Sequence, residues 1–276
     1  MARRNRLDVE LVRRGLARSR EHAADLVEQG LVELRGTRAT KAAAMVDPAD
    51  PLLVRDDDGA GRFVSRGAHK LAGALAAFGP AGLRVDGRRC LDAGASTGGF
   101  TQLLLQHGAS EVVAVDVGYG QMAWVLRNDS RVRMHERTNV RSLTPDTIGG
   151  LVDLTVADLS FISLRLVLPA LAECTAADGD LVPMVKPQFE VGKDQVGSGG
   201  VVRDPRLRAD AVLDVAATAA ELGLGVAGVV ASPLPGPSGN VEFFLWLRRD
   251  AAPVDETLVA SAAGVGSGSS AAPPCW

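Results

Sequence analysis

The sequence predicts an α/β protein: a doubly wound parallel sheet preceded by a small α+β module. Three observations predict it. Strand-length apolar runs alternate with helical patterns from Cys90 to Leu247, which is how a parallel sheet covered on both faces reads. Within that stretch, Cys90-Leu91-Asp92-Ala93-Gly94-Ala95-Ser96-Thr97-Gly98-Gly99-Phe100 takes the chain from a strand through a glycine-rich turn into a helix. The N-terminal region differs from both, with short helical stripes, small strands and a concentration of arginine.

In the N-terminal region, Leu7, Leu11, Val12 and Leu16 give one apolar face of a short helix. Ser19 reads as the N-cap of a second, carrying Ala23, Ala24, Leu26 and Val27, which Gly30 ends. Leu31–Leu34, a turn at Arg35-Gly36, Lys41 and Leu52–Val54 suggest small strands packed behind the helices. Residues 1–20 hold seven arginines against Asp8 and Glu10, a local +5 on a chain whose net charge is −3. A basic arm on an acidic body is the footprint of polyanion binding, with a solvated helix face as the plainer reading. Arg6, Arg18 and Arg20 are the candidate RNA contacts. The phrase Arg6-Leu7-Asp8…Gly15-Leu16-Ala17-Arg18-Ser19-Arg20…Ala23…Gly30-Leu31-Val32 resembles the S4 RNA-binding domain, which implies structured RNA as the substrate class. Leu34-Arg35-Gly36 stands where S4 domains commonly carry Val-Asn-Gly. Asp56–Gly61 has the charge and glycine content of a solvated linker. The expected division is an S4-like domain over 1–59, a linker over 60–64, a larger domain over 65–249, and a tail over 250–276 that is disordered and dispensable for chemistry.

The larger domain opens with Ser65-Arg66-Gly67-Ala68-His69-Lys70 and a helical stripe of Leu71, Leu75 and Phe78. The glycine turn that follows cradles a nucleotide-type ligand, because main-chain amides and an uncapped helix start lie close to it. Its spacing is that of neither a P-loop nor a dinucleotide fingerprint. Asp-x-Gly-x-x-x-Gly-Gly instead resembles the first motif of the class I S-adenosylmethionine (SAM)-dependent methyltransferases. That makes Asp92, Gly94, Ser96, Thr97, Gly98, Gly99 and Phe100 the candidate cofactor residues. The strand Glu111–Val115 ends on Asp116, placed to accept hydrogen bonds from ribose hydroxyls, or, more plainly, to cap a helix. Next come a helix around Met122–Arg127 and strands at Val132–His135 and Leu151–Asp158. A helix at Leu164–Leu171 and a strand at Leu181–Lys186 follow, then a glycine-rich loop and a helix at Pro205–Leu222. The last strands, Val226–Val230 and Val241–Leu247, are joined by a proline-rich loop as an antiparallel hairpin.

Ligands of a doubly wound sheet sit outside the carboxyl ends of its strands. Asp158 and Lys186 end two such strands, with Lys70 arriving from the preceding helix and Glu242 from the last strand. Each alone has a structural explanation; four at corresponding edges suggest chemistry. Methyl transfer to a ribose hydroxyl needs a group to take its proton, and a lysine does so where partial burial and a neighbouring cation favour its neutral form. Lys-Asp-Lys-Glu in this order resembles the tetrad of the FtsJ-like RNA ribose 2′-O-methyltransferases. With Ser65-Arg66-Gly67-Ala68-x-Lys70-Leu71, the glycine turn, Ala157-Asp158-Leu159-Ser160-Phe161-Ile162-Ser163, Lys186-Pro187-Gln188-Phe189-Glu190 and Asn240-Val241-Glu242, the chain closely resembles the TlyA (haemolysin A) family from Arg6 to about Arg248. The resemblance implies a class I, Rossmann-like methyltransferase fold with S-adenosyl-L-methionine as cofactor. It implies 2′-O-methylation of cytidine in 16S and 23S ribosomal RNA within ribosomal subunits, with Lys70, Asp158, Lys186 and Glu242 catalytic and Asn139 where these folds hold the adenine.

Other classes fit less well. Cys90, Cys174 and Cys275 are far apart and the four histidines scattered, which supports neither a zinc site nor a disulfide framework. No apolar segment follows the basic start, and the uncharged run Leu222–Val241 is broken by prolines and glycines, so neither a signal peptide nor a membrane span is expected. A Pro-Pro-aromatic run for amino methylation and a cysteine nucleophile for base methylation are also missing. The expected protein is a cytoplasmic monomer. The competing readings are a membrane-active haemolysin and a non-catalytic RNA-binding protein of ribosome assembly.

Overall fold

The computed structural model describes residues 4–17, 19–28, 30–54, 63–236 and 238–265. The chain divides into two compact units, 1–62 and 63–276. Phe63 and Val64, expected in the linker, belong to the second: both pack against its core and the Val64 N–H donates to Gln102 Oε1 at 2.7 Å.

In the first unit, β1 (Asn5–Arg6) leads into α1 (Leu7–Arg13), followed by α2 (Arg20–Glu28). The Ser19 hydroxyl accepts the His22 N–H at 3.1 Å, the expected N-cap of α2. Strand β2 (Val32–Leu34) sits between β3 (Thr37–Arg38) and β5 (Leu52–Val54), while β4 (Met45–Val46) pairs with β1. The β2–β3 hairpin turns through Arg35 at φ +54° and Gly36 at φ +75°, the doubly left-handed turn that matches strand twist. Leu7, Leu11, Ala23, Val27, Val32 and Val46 close a core of their own.

The second unit begins with α3 (Gly67–Phe78) and is built on β6 (Arg89–Ala93), whose side chains alternate between two apolar layers: Cys90 faces one, Leu91 and Ala93 the other. After α4 (Gly99–Gln106) come β7 (Glu111–Val115), α5 (Trp124–Arg127), β8 (Val132–His135), α6 (Pro145–Ile148), β9 (Val152–Ala157), α7 (Leu168–Cys174) and β10 (Thr175–Val185). Then α8 (Pro187–Glu190), α9 (Pro205–Glu221), β11 (Gly225–Ala231), β12 (Phe243–Arg248) and α10 (Glu256–Ala263) complete the unit. The seven-stranded order is β11-β12-β10-β9-β6-β7-β8, parallel from β10 to β8, with β12 antiparallel to both its neighbours. Helices α3, α4 and α5 cover one face; α6, α7, α9 and α10 cover the other.

Three boundaries differ from the sequence reading. The helix expected from Leu164 begins at Leu168 after a 3₁₀ turn, because Pro169 lacks an N–H and fits only a first helical turn. Strand β10 starts at Thr175, its polar first half reading as a turn until the buried Asp180 accepts the Trp246 indole N–H at 2.6 Å. The tail expected to be disordered is folded where it is described: Asp255 caps α10, and Val259 and Ala263 are buried in the core under α9. Residues 55–62, which include Asp56–Gly61 and the first part of the expected linker, and residues 266–276 lie outside the described residues.

Candidate active site

Gly94 follows β6 at φ +89°, and a Cβ there would come within 2.6 Å of the Asp158 carbonyl oxygen. Only glycine lets the Asp158 loop cross this closely, and the crossing is fixed by the Asp158 N–H donating to the Ala93 carbonyl at 3.0 Å. Ser96 is also left-handed, at φ +47°, and its N–H donates to Asp116 Oδ2 at 2.8 Å. Asp116 Oδ1 accepts the Gly118 N–H at 2.6 Å. The acid at the tip of β7 is thereby clamped at the rim of the glycine turn. Thr97 pins the same turn to α5, its carbonyl accepting the Ala123 N–H at 3.1 Å. Gly98 caps α4 without any side-chain partner, and Gly99 and Phe100 form its first turn. The Phe100 ring is committed to the core, 6.1 Å from Phe244, so only its main chain is open to a ligand. Asn139 Oδ1 caps a 3₁₀ turn by accepting the Arg141 N–H at 3.0 Å.

Asp92 is fully buried beneath this turn. Thr101 Oγ1 donates to its Oδ2 at 2.6 Å, while Oδ1 has no partner. Desolvation pushes its pKa up to about 7, Thr101 opposing and the negative Asp158 and Asp116 adding to the rise.

The four charged residues converge as two ion pairs. Lys70 Nζ meets Glu242 Oε2 at 2.5 Å, with both side chains buried. Lys186 Nζ meets Asp158 Oδ1 at 2.6 Å and donates to Ser160 Oγ at 2.9 Å. The register brings the pairs together: Val185 lies opposite Phe243, so Lys186 and Glu242 emerge side by side on antiparallel neighbours. Asp158 follows Ala157, which lies between Ala93 and Pro183. All four therefore stand at the sheet edge that carries Gly94. The proline-rich loop closes over Glu242: a Cβ on Gly236 would lie 2.6 Å from its Oε1. Asn240, nearly fully buried, straps that loop to the glycine-rich one through Val202 N–H at 2.9 Å and the Gly200 carbonyl at 2.8 Å.

Ser160, Glu190 and Asn240 belong to motifs the sequence singled out, but as side chains with roles they were missed. Glu190 is buried and accepts hydrogen bonds from Ser163 and the Leu164 N–H. Its carboxyl four residues after Lys186 was the available signal.

In the first unit, Arg6 and Arg20 are not free cations. Arg6 grips Asp8 through Nε at 3.0 Å and Nη2 at 2.9 Å, and Arg20 Nη2 joins the same carboxylate at 3.1 Å. Arg13 and Arg14 likewise share Glu10. Asp8 and Glu10 are held well below the usual carboxylate range, first by Arg6 and Arg13 respectively. Two arginines on each acid leave every cluster at +1, and the acids fix where the guanidiniums stand instead of cancelling them. Arg18 lies outside the described residues.

The FtsJ-like methyltransferase family model matches residues 63–249 and the S4 domain model residues 5–52. The chain is 65% identical over 248 residues to the 16S/23S rRNA (cytidine-2′-O)-methyltransferase TlyA of Mycobacterium tuberculosis, covering 90% of this chain and 91% of that one. It is 43% identical to YqxC of Bacillus subtilis, described as a candidate rRNA methyltransferase, over 90% of this chain and 86% of the relative. A solved structure from Streptococcus thermophilus, described as a candidate hemolysin, superposes with a TM-score of 0.73 at 40% identity, covering 96% of this chain and 98% of that one. Matched across both units at these identities, the chain belongs to the TlyA family of methyltransferases, an S4 domain followed by an FtsJ-like domain.

Proposed function

We propose that this protein methylates the ribose 2′-hydroxyl of cytidine in 16S and 23S ribosomal RNA, using SAM, on ribosomal subunits in the cytoplasm. The observation that carries the reading is the Lys186–Asp158 ion pair standing beside Lys70–Glu242 at the edge that holds the glycine turn. The relatives' rRNA (cytidine-2′-O)-methyltransferase names support the substrate. The turn fits SAM: Asp92 offers an unpartnered buried carboxylate oxygen, Gly94 and Gly98 bring main chain close, and Asp116 stands at the tip of β7. Ser96, Thr97, Gly99, Phe100 and Asn139 complete the residues assigned to that ligand.

When bound, SAM supplies an electrophilic methyl on a sulfonium. The residues of the chain supply alignment and proton removal. As the neutral amine, Lys186 Nζ takes the 2′-hydroxyl proton and becomes the ammonium that Asp158 pairs with and Ser160 accepts from, and the buried Lys70–Glu242 pair fixes the neighbouring strand edge. The Arg6 and Arg20 cluster of the S4 domain contacts RNA phosphates.

Purified ribosomal subunits and tritiated SAM test this reading. Lys186→Ala should abolish methyl incorporation while calorimetric SAM binding and the melting temperature stay near wild type; substantial remaining turnover rejects Lys186 as the base. A wild-type protein that binds subunits and leaves no label would instead be an RNA-binding assembly protein. No helix among the described residues is long and apolar enough to cross a membrane.

A further inference from the structure

The loops after β9 and β10 carry Asp158 and Lys186, and one buried acid ties them to each other. The Glu190 side chain is 1% exposed. Its carboxylate accepts the Ser163 hydroxyl at 2.5 Å and the Leu164 N–H at 2.7 Å. Arg165 Nε stands 3.5 Å away, and Arg165 Nη2 donates to the Glu190 carbonyl at 3.0 Å. Consecutive residues of the Asp158 loop thus converge on one side chain of the Lys186 loop. Burial raises the proton affinity of Glu190, and these donors oppose that rise. A buried ion pair is weak evidence for stability, since an apolar residue of similar volume often serves as well. What a carboxylate adds is direction: it fixes the Ser163–Arg165 turn at a set height relative to Lys186. The reacting pair spans the same two loops, with Lys186 2.6 Å from Asp158 and 2.9 Å from Ser160.

We propose that Glu190 is a positioning residue for methyl transfer, locking the Asp158–Arg165 segment to the Lys186–Glu190 segment so that Lys186, Asp158 and Ser160 keep their geometry. The proposal rests on Lys186 being the proton acceptor.

Single-turnover methylation of ribosomal subunits at saturating SAM tests it, with Lys186→Ala run alongside and rates expressed per folded molecule. A misplacement of about 1 Å costs roughly 100-fold in rate, and Glu190→Ala is expected to slow transfer by about that factor with the SAM dissociation constant unchanged. Glu190→Gln keeps an acceptor for the Leu164 N–H and presents an amide to Ser163 Oγ, so it should recover transfer to within about tenfold of wild type. Ser163→Ala removes one donor and leaves the acid, and should fall between wild type and Glu190→Ala. A wild-type rate in Glu190→Ala, or Gln performing no better than Ala, overturns the positioning role. Should Glu190→Ala fail to fold, a wild-type rate in Ser163→Ala overturns it. A dead Lys186→Ala beside a fully active Glu190→Ala removes only Glu190 from the account, whereas an active Lys186→Ala removes the base assignment on which it rests.

Discussion

Burial of Asp92 raises its pKa from 3.8 to about 7, against the opposing hydrogen bond from the Thr101 hydroxyl. Between those values the folded protein holds a proton that the unfolded chain has released, so this residue's contribution to stability falls as pH rises through the window. The shift corresponds to about 4 kcal/mol at most. Asp92→Asn removes the slope: its stability relative to wild type should increase from pH 4 to pH 8, as measured by denaturant unfolding at each pH. A pH-independent difference would mean that Asp92 does not titrate in that range. The same residue shows what sequence conveys at this scale. Motif spacing placed an acid beside the glycine turn, and element edges led to the other four, because Asp158 and Lys186 follow strands, Glu242 precedes one and Lys70 lies in the first turn of a helix. Ser160 and Glu190 escaped because their partners depend on how two loops fold against each other, which no periodicity records. Phe100 was read as a ligand residue for its place after Gly99, yet its ring is in the core.

Among the elements, those with continuous apolar runs or helical stripes were legible: β6, β7, β9 and α9 lie within a residue or two of where these patterns put them. α10 was not, because its alanine-rich composition matches that of a disordered tail and its burial depends on a partner distant in sequence. Val259 and Ala263 pack into the core shared with α9, and the Val226 N–H donates to the Ala252 carbonyl at 2.9 Å. Truncation after Asp250 would therefore uncover apolar surface on α9 and β11. Burial of one valine contributes about 1.5–3 kcal/mol, so the truncated protein should lose about 3 kcal/mol in denaturant unfolding. Truncation after Val265 should cost nothing measurable if the fold's boundary lies where α10 ends. Equal stability of the two truncations would show that α10 is not part of the folded core.

Across the whole molecule, the candidate chemistry and the basic cluster fall in different units. The two lysine–acid pairs and the glycine turn belong to the second, while the first gathers its positive charge at its start, +5 in residues 1–20 of a chain that nets −3. Sequence showed this asymmetry but not its organisation, since Asp8 and Glu10 read as partial neutralisation. In the structure each is buried beneath two arginines, and Arg20 remains 59% exposed while gripping an acid that is 6% exposed. A guanidinium held this way has lost conformational freedom before any RNA arrives, so a phosphate contact costs less ordering entropy than one made by a loose chain. Arg6→Ala with Arg20→Ala should therefore weaken binding to ribosomal subunits and flatten its salt dependence. Each lost phosphate contact lowers the log–log slope by about 0.7–0.9, so filter binding across a potassium chloride series should show a slope smaller by about 1.5. SAM affinity, a property of the other unit, should not move. A slope equal to wild type would mean that Asp8 holds these arginines for the S4 core alone, and that RNA docks through other cations of the chain.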